Sequence, residues 1–232
     1  MTEPEQPTIE QRREALRLLT SRETLIVASG LALLIIQRYH RVLGLVEWRH
    51  MVVEWHAVTV ACLFVVPALI CMVGLRVAPA QMGLGWGKPR IWGRYLVVYA
   101  AVMVPVVLVA SRVGHFRGWY PIYQATLTRH YLVPISIASF GAYFFAWEFF
   151  FRGYLLFGLE QRFGAYAVLV QALPFVLVHL GKPEAEVYGA IIAGLALGLM
   201  AYRGRSVWPC FLLHWGVATL LDLLIIFWPA GP

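Results

Sequence analysis

Long apolar runs alternate with short polar loops along this chain, and most runs approach the length that crosses a lipid bilayer. They lie at about 24–36, 57–75, 95–111, 133–159, 165–179, 188–202 and 207–228. A transmembrane helix needs about 20 mainly apolar residues and satisfies its own backbone groups in lipid. The pattern therefore predicts an all-α, polytopic helical bundle of about 7–8 membrane helices. The runs at 24–36 and 165–179 are short, so either could be re-entrant.

The polar stretches divide this single membrane domain. Residues 1–23 are charged around Leu16, Leu18 and Leu19, which predicts an amphipathic segment at the membrane surface; a frayed, solvated tail is the alternative. Residues 24–132 are predicted as N-terminal membrane helices and 133–232 as the core helices that hold the site. Residues 38–53 could hide a further surface helix, and 82–89 are predicted as a turn-rich surface loop.

Composition supports the membrane assignment. The chain is 60% hydrophobic and 13% charged with a mean hydropathy of +0.70, whereas soluble domains carry about 25% charged residues. The net charge of +7 comes from basic residues scattered among the loops. That distribution favours a bilayer with anionic headgroups as partner and argues against nucleic acid. A preference for Arg over Lys and the lack of Asn are typical of a GC-rich bacterial genome, so we expect an integral protein of the bacterial inner membrane.

Two opposite charges interrupt the apolar run at 133–159. Glu148 and Arg152 each cost several kcal/mol in hydrocarbon unless they have partners. Four residues apart on a helix, they share one face and can pair. Because a purely apolar segment would insert more easily, the pair predicts a functional site.

Further polar groups follow in the later helices. His179 ends the fifth run, a polar break at 181–186 contains Glu186, and the last run contains His214 and Asp222. A lone buried His is more often a packing residue than a catalyst. Together, however, these groups must converge to satisfy one another, because the bundle offers few other buried polar partners.

The predicted cluster suits the activation of water. Glu148 would serve as general base, with Arg152 fixing its orientation. His179 and His214 would donate hydrogen bonds to an oxyanion or hold the attacking water. No cofactor is required for this chemistry, although Glu148, His179 and His214 are also the residue types that bind zinc.

The motifs resemble those of the CAAX-protease and bacteriocin-processing family of intramembrane endopeptidases, also labelled Abi. That family's pattern is Glu-Glu-x-x-x-Arg, then Phe-x-x-x-His, then His-x-x-x-Asn/Asp, on four core helices. Here Glu148 and Arg152, Phe175 and His179, and His214 occupy matching positions. The resemblance implies an endopeptidase that activates water with a carboxylate.

Two positions depart from the family's pattern: Trp147 replaces the first Glu, and Ala218 stands where Asn or Asp is expected. Glu186 is the better candidate for a second catalytic carboxylate, because the break before it lets the backbone turn back. Asp222, eight residues past His214, is rotated by roughly 80° and would hold a neighbouring polar group instead. Trp147, Phe175 and Asp222 are therefore predicted to support the site or contact substrate.

The resulting prediction is an intramembrane endopeptidase, glutamic-type or metal-dependent. Its substrate would be a membrane-associated or exported protein, for example one with a C-terminal sorting tag or leader. Trp147 and Ala218 keep a second hypothesis open, a catalytically inactive pseudoprotease that acts as a membrane scaffold or immunity factor. A proton-coupled transporter would require paired half-helices or repeats, and the sequence shows neither.

Overall fold

The computed structural model describes residues 8–39 and 51–228, with side chains from residue 54 onward in the second range. This part of the chain contains helices and no strand, which confirms the all-α prediction. The helices are α1 (Ile9–Leu19), α2 (Arg22–Tyr39), α3 (Met51–Val60), α4 (Val66–Leu69), α5 (Pro89–Ala110), α6 (Gly114–Trp119), α7 (Val133–Glu148), α8 (Phe157–Phe163), α9 (Ala167–Leu177), α10 (Glu184–Gly204) and α11 (Trp208–Phe227).

Short π-helical and 3₁₀ segments join several of these helices. The π segments Ala61–Val65 and Ile70–Gly74 make α3 and α4 one continuous rod, and the π segment Phe149–Leu156 joins α7 to α8. In a π helix each N–H bonds the carbonyl five residues back, so the winding is wider than in an α-helix. The site helix thus runs without a break from Val133 to Phe163.

Each of the seven predicted apolar runs lies on a helix, but fewer helices are long enough to cross a bilayer. Five pass by length and composition within the described residues, and α1 with α2, bent by 55°, would make a sixth. The predicted count of about 7–8 is therefore approximate, because five or six candidates are found in this part of the chain. One of the five candidates, His130–Leu177, is 48 residues long and combines two of the predicted apolar runs. It includes α9, which has only 11 residues and is too short to span a bilayer alone.

The N-terminal segment folds locally. Thr8 accepts a hydrogen bond from the backbone of Gln11, and the Gln11 side chain accepts one from the Thr8 N–H, which closes a capping box at the start of α1. No residue of α1 is buried. Its placement at a membrane surface remains a prediction, and residues 40–50, where a further surface helix is expected, lie outside the described ranges.

The helix that carries the site lies at the centre of the bundle. Phe149, Phe150 and Phe151 have no exposed surface, because the π segment is enclosed by α2, α9 and α10, while α7 packs against α3 and α11. The amide of Gln171 links α9 to α10 by donating to the carbonyl of Gly194 at 2.8 Å. Glu148 and Arg152 thus occupy the most enclosed part of the molecule.

The segment at 82–89 is more than the predicted surface loop. Met82 is 1% exposed, and Gly83 accepts a backbone hydrogen bond from Val207 at 2.9 Å. The Lys88 N–H donates to Gly204 at 2.7 Å. The first part of the loop therefore packs against the turn between α10 and α11, whereas residues 86–89 are exposed.

Candidate active site

Glu148 and Arg152 form a fully buried ion pair at the junction of α7 and the π segment. Arg152 Nη1 lies 3.2 Å from Glu148 Oε1 and 3.1 Å from Oε2, and neither side chain has exposed surface. Glu148 is the last residue of α7 and Arg152 lies in the first π turn. The predicted pairing of these two charges across one helix face is present in the structure.

His214 completes a contact between two helices that are far apart in sequence. Its Nδ1 lies 2.6 Å from Glu148 Oε1, and its side chain is 21% exposed whereas that of Glu148 is fully buried. A carboxylate oxygen accepts, so Nδ1 carries the proton and donates to Glu148. In the neutral ring, Nε2 is then the acceptor that can meet water.

His179 lies at the turn after α9, and its tautomer is also defined. Its Nδ1 lies 2.7 Å from the carbonyl oxygen of Phe175, which can only accept, so Nδ1 donates there. Burial lowers the pKa of His179 to about 4, with a further contribution from the positive charge of Lys182. The neutral ring therefore presents Nε2 as an acceptor, and it is close enough to interact electrostatically with Glu148 and His214.

This tautomer changes one expected role. A neutral His179 that donates through Nδ1 to Phe175 has no N–H left for a substrate oxyanion. Of the two predicted roles, holding the attacking water fits the geometry of His179 and donating to an oxyanion does not. A neutral His214 ring whose Nδ1 donates to Glu148 likewise has no second N–H.

Arg152 supplies the donors that the histidines lack. Its guanidinium lies 4.3 Å above the ring centre of Phe175, a cation–π contact that holds the group in place. Among the described residues, its Nε and Nη2 atoms have no hydrogen-bond partner. Phe175 thus supports both Arg152 and His179, whose ring is 4.7 Å away from its own.

Glu186 lies near the site without touching Glu148. On the first turn of α10, its carboxylate accepts from the hydroxyl of Tyr120, 2.9 Å from both oxygens, and from Lys182 Nζ at 2.6 Å. It interacts electrostatically with His179. Whether Glu186 is a second catalytic carboxylate stays a prediction.

Three other positions named in the sequence analysis make no contact with Glu148 or His214 that the structure records as a hydrogen bond or ion pair. Trp147 is buried and stacks on Phe151 with ring centres 5.4 Å apart. Ala218 is partly buried against the main hydrophobic core. The Oδ1 atom of Asp222 is buried and finds no hydrogen-bond partner among the described residues, and Asp222 interacts electrostatically with Tyr120.

Zinc binding by Glu148, His179 and His214 stays a prediction. His179 and His214 use their Nδ1 atoms for Phe175 and Glu148. Across residues 8–39 and 51–228, no three side chains of His, Cys, Asp or Glu are arranged to hold a metal ion. Because each Nδ1 is engaged in this way, Nε2 is the remaining acceptor of each neutral ring, and no chemical step below uses a metal.

Two buried polar groups are not foreseen from the sequence. Tyr120, which contacts Glu186, lies in an irregular stretch without periodicity that would predict its burial. His56 on α3 packs against Phe140 and Tyr143 of α7, and neither ring nitrogen has a hydrogen-bond partner among the described residues. The available signal for His56 is its position directly before the apolar run at 57–75.

The comparisons with known proteins address the same part of the chain. A family model described as "Type II CAAX prenyl endopeptidase Rce1-like" matches residues 128–220. The chain contains an Rce1-like region. The matched stretch includes Glu148, Arg152, His179 and His214, and it confirms the resemblance. No curated protein and no solved structure shows a significant match to the chain.

Proposed function

We propose that this protein is a CAAX-type intramembrane endopeptidase in which Glu148 and His214 act as one unit on a water molecule. The observation that carries the proposal is the 2.6 Å contact between Glu148 Oε1 and His214 Nδ1. It joins a fully buried carboxylate to an imidazole that is still partly exposed. The Rce1-like match over the same residues supports a protease of this class.

The geometry favours His214 as the group that takes the proton. A carboxylate on one ring nitrogen fixes the tautomer and stabilises the imidazolium that forms when the other nitrogen is protonated. His214 Nε2 would remove a proton from water while the water oxygen attacks the scissile carbonyl carbon. The same Nε2 would then protonate the leaving amine as the C–N bond breaks. Glu148 stays ionised throughout. It therefore orients and stabilises the base His214, whereas the sequence predicts that Glu148 itself is the general base.

Arg152 and His179 have complementary roles in this scheme. The guanidinium of Arg152, with donors not used by the described residues, is the positive group available to a developing oxyanion. His179 Nε2 accepts from the attacking water and orients it. We propose that the substrate is a membrane-associated or exported protein, cleaved near a C-terminal sorting tag or leader.

The test compares site variants with controls of the same residue types. Glu148→Gln and His214→Ala should lower turnover by about 10²–10⁴-fold, the range for loss of general acid–base catalysis. His179→Ala should also lower it, through loss of the positioned water. Exposed His115→Ala and Glu184→Gln should leave turnover unchanged. The readout is new protein termini in membranes with the wild type or each variant, followed by cleavage of a synthetic peptide that spans the site.

A wild-type rate in both Glu148→Gln and His214→Ala would refute the proposed unit. The second candidate, a pseudoprotease acting as scaffold or immunity factor, is favoured by one observation. The indole of Trp147, packed on Phe151, occupies the position of the family's first Glu. If the protein is a pseudoprotease, membranes with the wild type would show no new protein termini. Glu148→Gln would then lower the stability of the protein without changing any cleavage.

A further inference from the structure

A groove with basic and aromatic walls lies between α5 and α10, away from the candidate active site. It has a volume of about 770 Å³ and is formed where α5 begins and α10 ends. Lys88, the residue before α5, lines it together with Ile91, Arg94, Tyr95 and Val98 of α5. The α5 positions 91, 94, 95 and 98 share one face of the helix. Both helices are long enough to span a membrane, so this end lies at the level of lipid headgroups.

The charge of the groove is predominantly positive. Lys88, Arg94, Arg203 and Arg205 line it against a single acid, Glu160. Arg205 Nη1 lies 2.6 Å from both oxygens of Glu160, so that acid is already neutralised. Among the described residues, no carboxylate forms an ion pair with the other three basic groups.

Some of these groups are held in fixed positions. Arg203 Nη1 donates to the hydroxyl of Tyr95 at 2.9 Å. The guanidinium of Arg205 lies 4.6 Å above the ring centre of Phe157. Tyr99 and Tyr202 complete the wall. Tyrosines beside Lys and Arg at the end of a spanning helix are typical of the level at which headgroups lie.

The apolar continuation of the groove distinguishes a lipid from a soluble anion. From Lys88 to Val98, the α5 face descends about 15 Å along the helix axis. Beyond the charged end, Val97, Val98 and Val102 are 69%, 57% and 59% exposed. A free phosphate would use the charged end alone, whereas a phospholipid places its phosphate there and its acyl chains along the valines.

We propose that this groove binds an anionic phospholipid, with the phosphate held by Lys88, Arg94 and Arg203. The inference is independent of the proposed peptidase activity, because none of these residues belongs to the Glu148–His214 site. The sequence predicts only a general attraction of the basic loops to anionic headgroups, whereas this proposal assigns the headgroup to one defined site. Basic pockets between membrane helices are known to bind such headgroups.

The test uses charge-removing variants of exposed residues and a control with the same loss of charge. Lys88→Gln/Arg94→Gln removes two cations from the groove. Arg90→Gln/Arg162→Gln removes two exposed cations that do not line it. The full chain is purified in neutral detergent, and circular dichroism and gel filtration verify its fold. Bound lipid is then titrated by native mass spectrometry with phosphatidylglycerol, phosphatidylcholine, or inorganic phosphate.

We expect phosphatidylglycerol to bind the wild type more tightly than phosphatidylcholine. The groove variant should lose about 30-fold in affinity for phosphatidylglycerol, since each Lys or Arg beside the bound headgroup contributes about fivefold. The control variant should change by less than about twofold. Millimolar inorganic phosphate should not displace the lipid.

Three results would overturn the proposal. Equal affinity of the groove and control variants for phosphatidylglycerol would place the lipid elsewhere. Equal binding of phosphatidylcholine by the wild type would show that the phosphate charge is not recognised. Displacement of the lipid by inorganic phosphate would identify a site for free anions instead.

Discussion

Arg152 is a fully buried guanidinium, and its surroundings show how the bundle tolerates it. Glu148 balances its charge at 3.1 Å, and the face of Phe175 covers it at 4.3 Å. Removing one partner of a buried ion pair leaves the other charge uncompensated, which costs about 3–5 kcal/mol. Removing both partners together avoids that penalty. The pair should therefore show strong coupling in a double-mutant cycle.

We expect Arg152→Met to lower the free energy of unfolding by about 3–5 kcal/mol. The double variant Glu148→Gln/Arg152→Met should lose less than Arg152→Met alone, because no bare carboxylate remains. The measurement is unfolding in detergent, followed by intrinsic fluorescence. As a matched control, the partly exposed pair Arg205 and Glu160 should show coupling of only about 0–1 kcal/mol. Additive losses at Glu148 and Arg152 would contradict the expectation.

The sequence is informative at residue scale where a polar group has no alternative partner. Glu148, Arg152 and His214 lie in apolar runs, so their convergence follows from the cost of leaving them unpaired in lipid. The tautomer of His179 does not follow, because it depends on the Phe175 carbonyl oxygen, whose position no side-chain pattern reveals. The contact of Tyr120 with Glu186 is likewise a tertiary contact across 66 residues.

At the scale of elements, the clearest departure from expectation is the loop at 82–89. Turn-forming residues predict an exposed connection, yet two of its glycines are required by close packing. Gly87 has a φ of +58°, and a Cβ there would lie 2.1 Å from the carbonyl oxygen of Gly204. Gly83 has a φ of +76° and packs against Phe157. These glycines allow the loop to dock on the end of α10.

Gly87→Ala should destabilise the protein by at least about 2 kcal/mol. A positive φ is costly for any residue with a Cβ, and the clash with backbone cannot be relieved by a rotamer change. Gly93→Ala is the matched control, because Gly93 lies in α5 and a methyl group added there would meet nothing within 4 Å. That variant should be unchanged or more stable by up to about 1 kcal/mol. Equal thermal midpoints for the two variants would argue against this role of Gly87.

The positions of the helices are predictable from hydropathy, but the way in which one helix continues into the next is not. The π segment after Glu148 has the same apolar composition as the α-helix before it, and composition does not report a change in winding. Similarly, the sequence predicts a possible span at α9 because the apolar run continues past the last helical residue. Helix ends depend on hydrogen bonds, which the apolar pattern does not contain.

For the molecule as a whole, contacts between helix ends assign the loops to two opposite faces. One face contains the docked loop at 82–89, the end of α8 and the end of α10, linked by Lys88 to Gly204 and by Glu160 to Arg205. The other contains the stretch after α6 and the start of α10, linked by Tyr120 and Glu186. Cys62, Cys71 and Cys210 are buried between these faces.

Cysteine labelling in sealed vesicles should reproduce this division. Arg90→Cys and Arg162→Cys should react with an impermeant maleimide from one side of the membrane. Arg129→Cys and Glu184→Cys should react from the opposite side. The wild type is the background, because its three buried thiols should not react until the protein is unfolded. Labelling of Arg90→Cys and Arg129→Cys from the same side would be inconsistent with the arrangement.

The partial exposure of His214 beside a wholly enclosed Glu148 has a consequence for the substrates of the proposed peptidase. Within the Glu148–His214 pair only the imidazole has exposed surface, so the target amide must be presented to that ring with its carbonyl free. In a helical segment within lipid that carbonyl is already hydrogen-bonded. Chains that unwind readily near the cut, through Gly, Pro or a short unstructured tail, would therefore be preferred over uninterrupted hydrophobic helices.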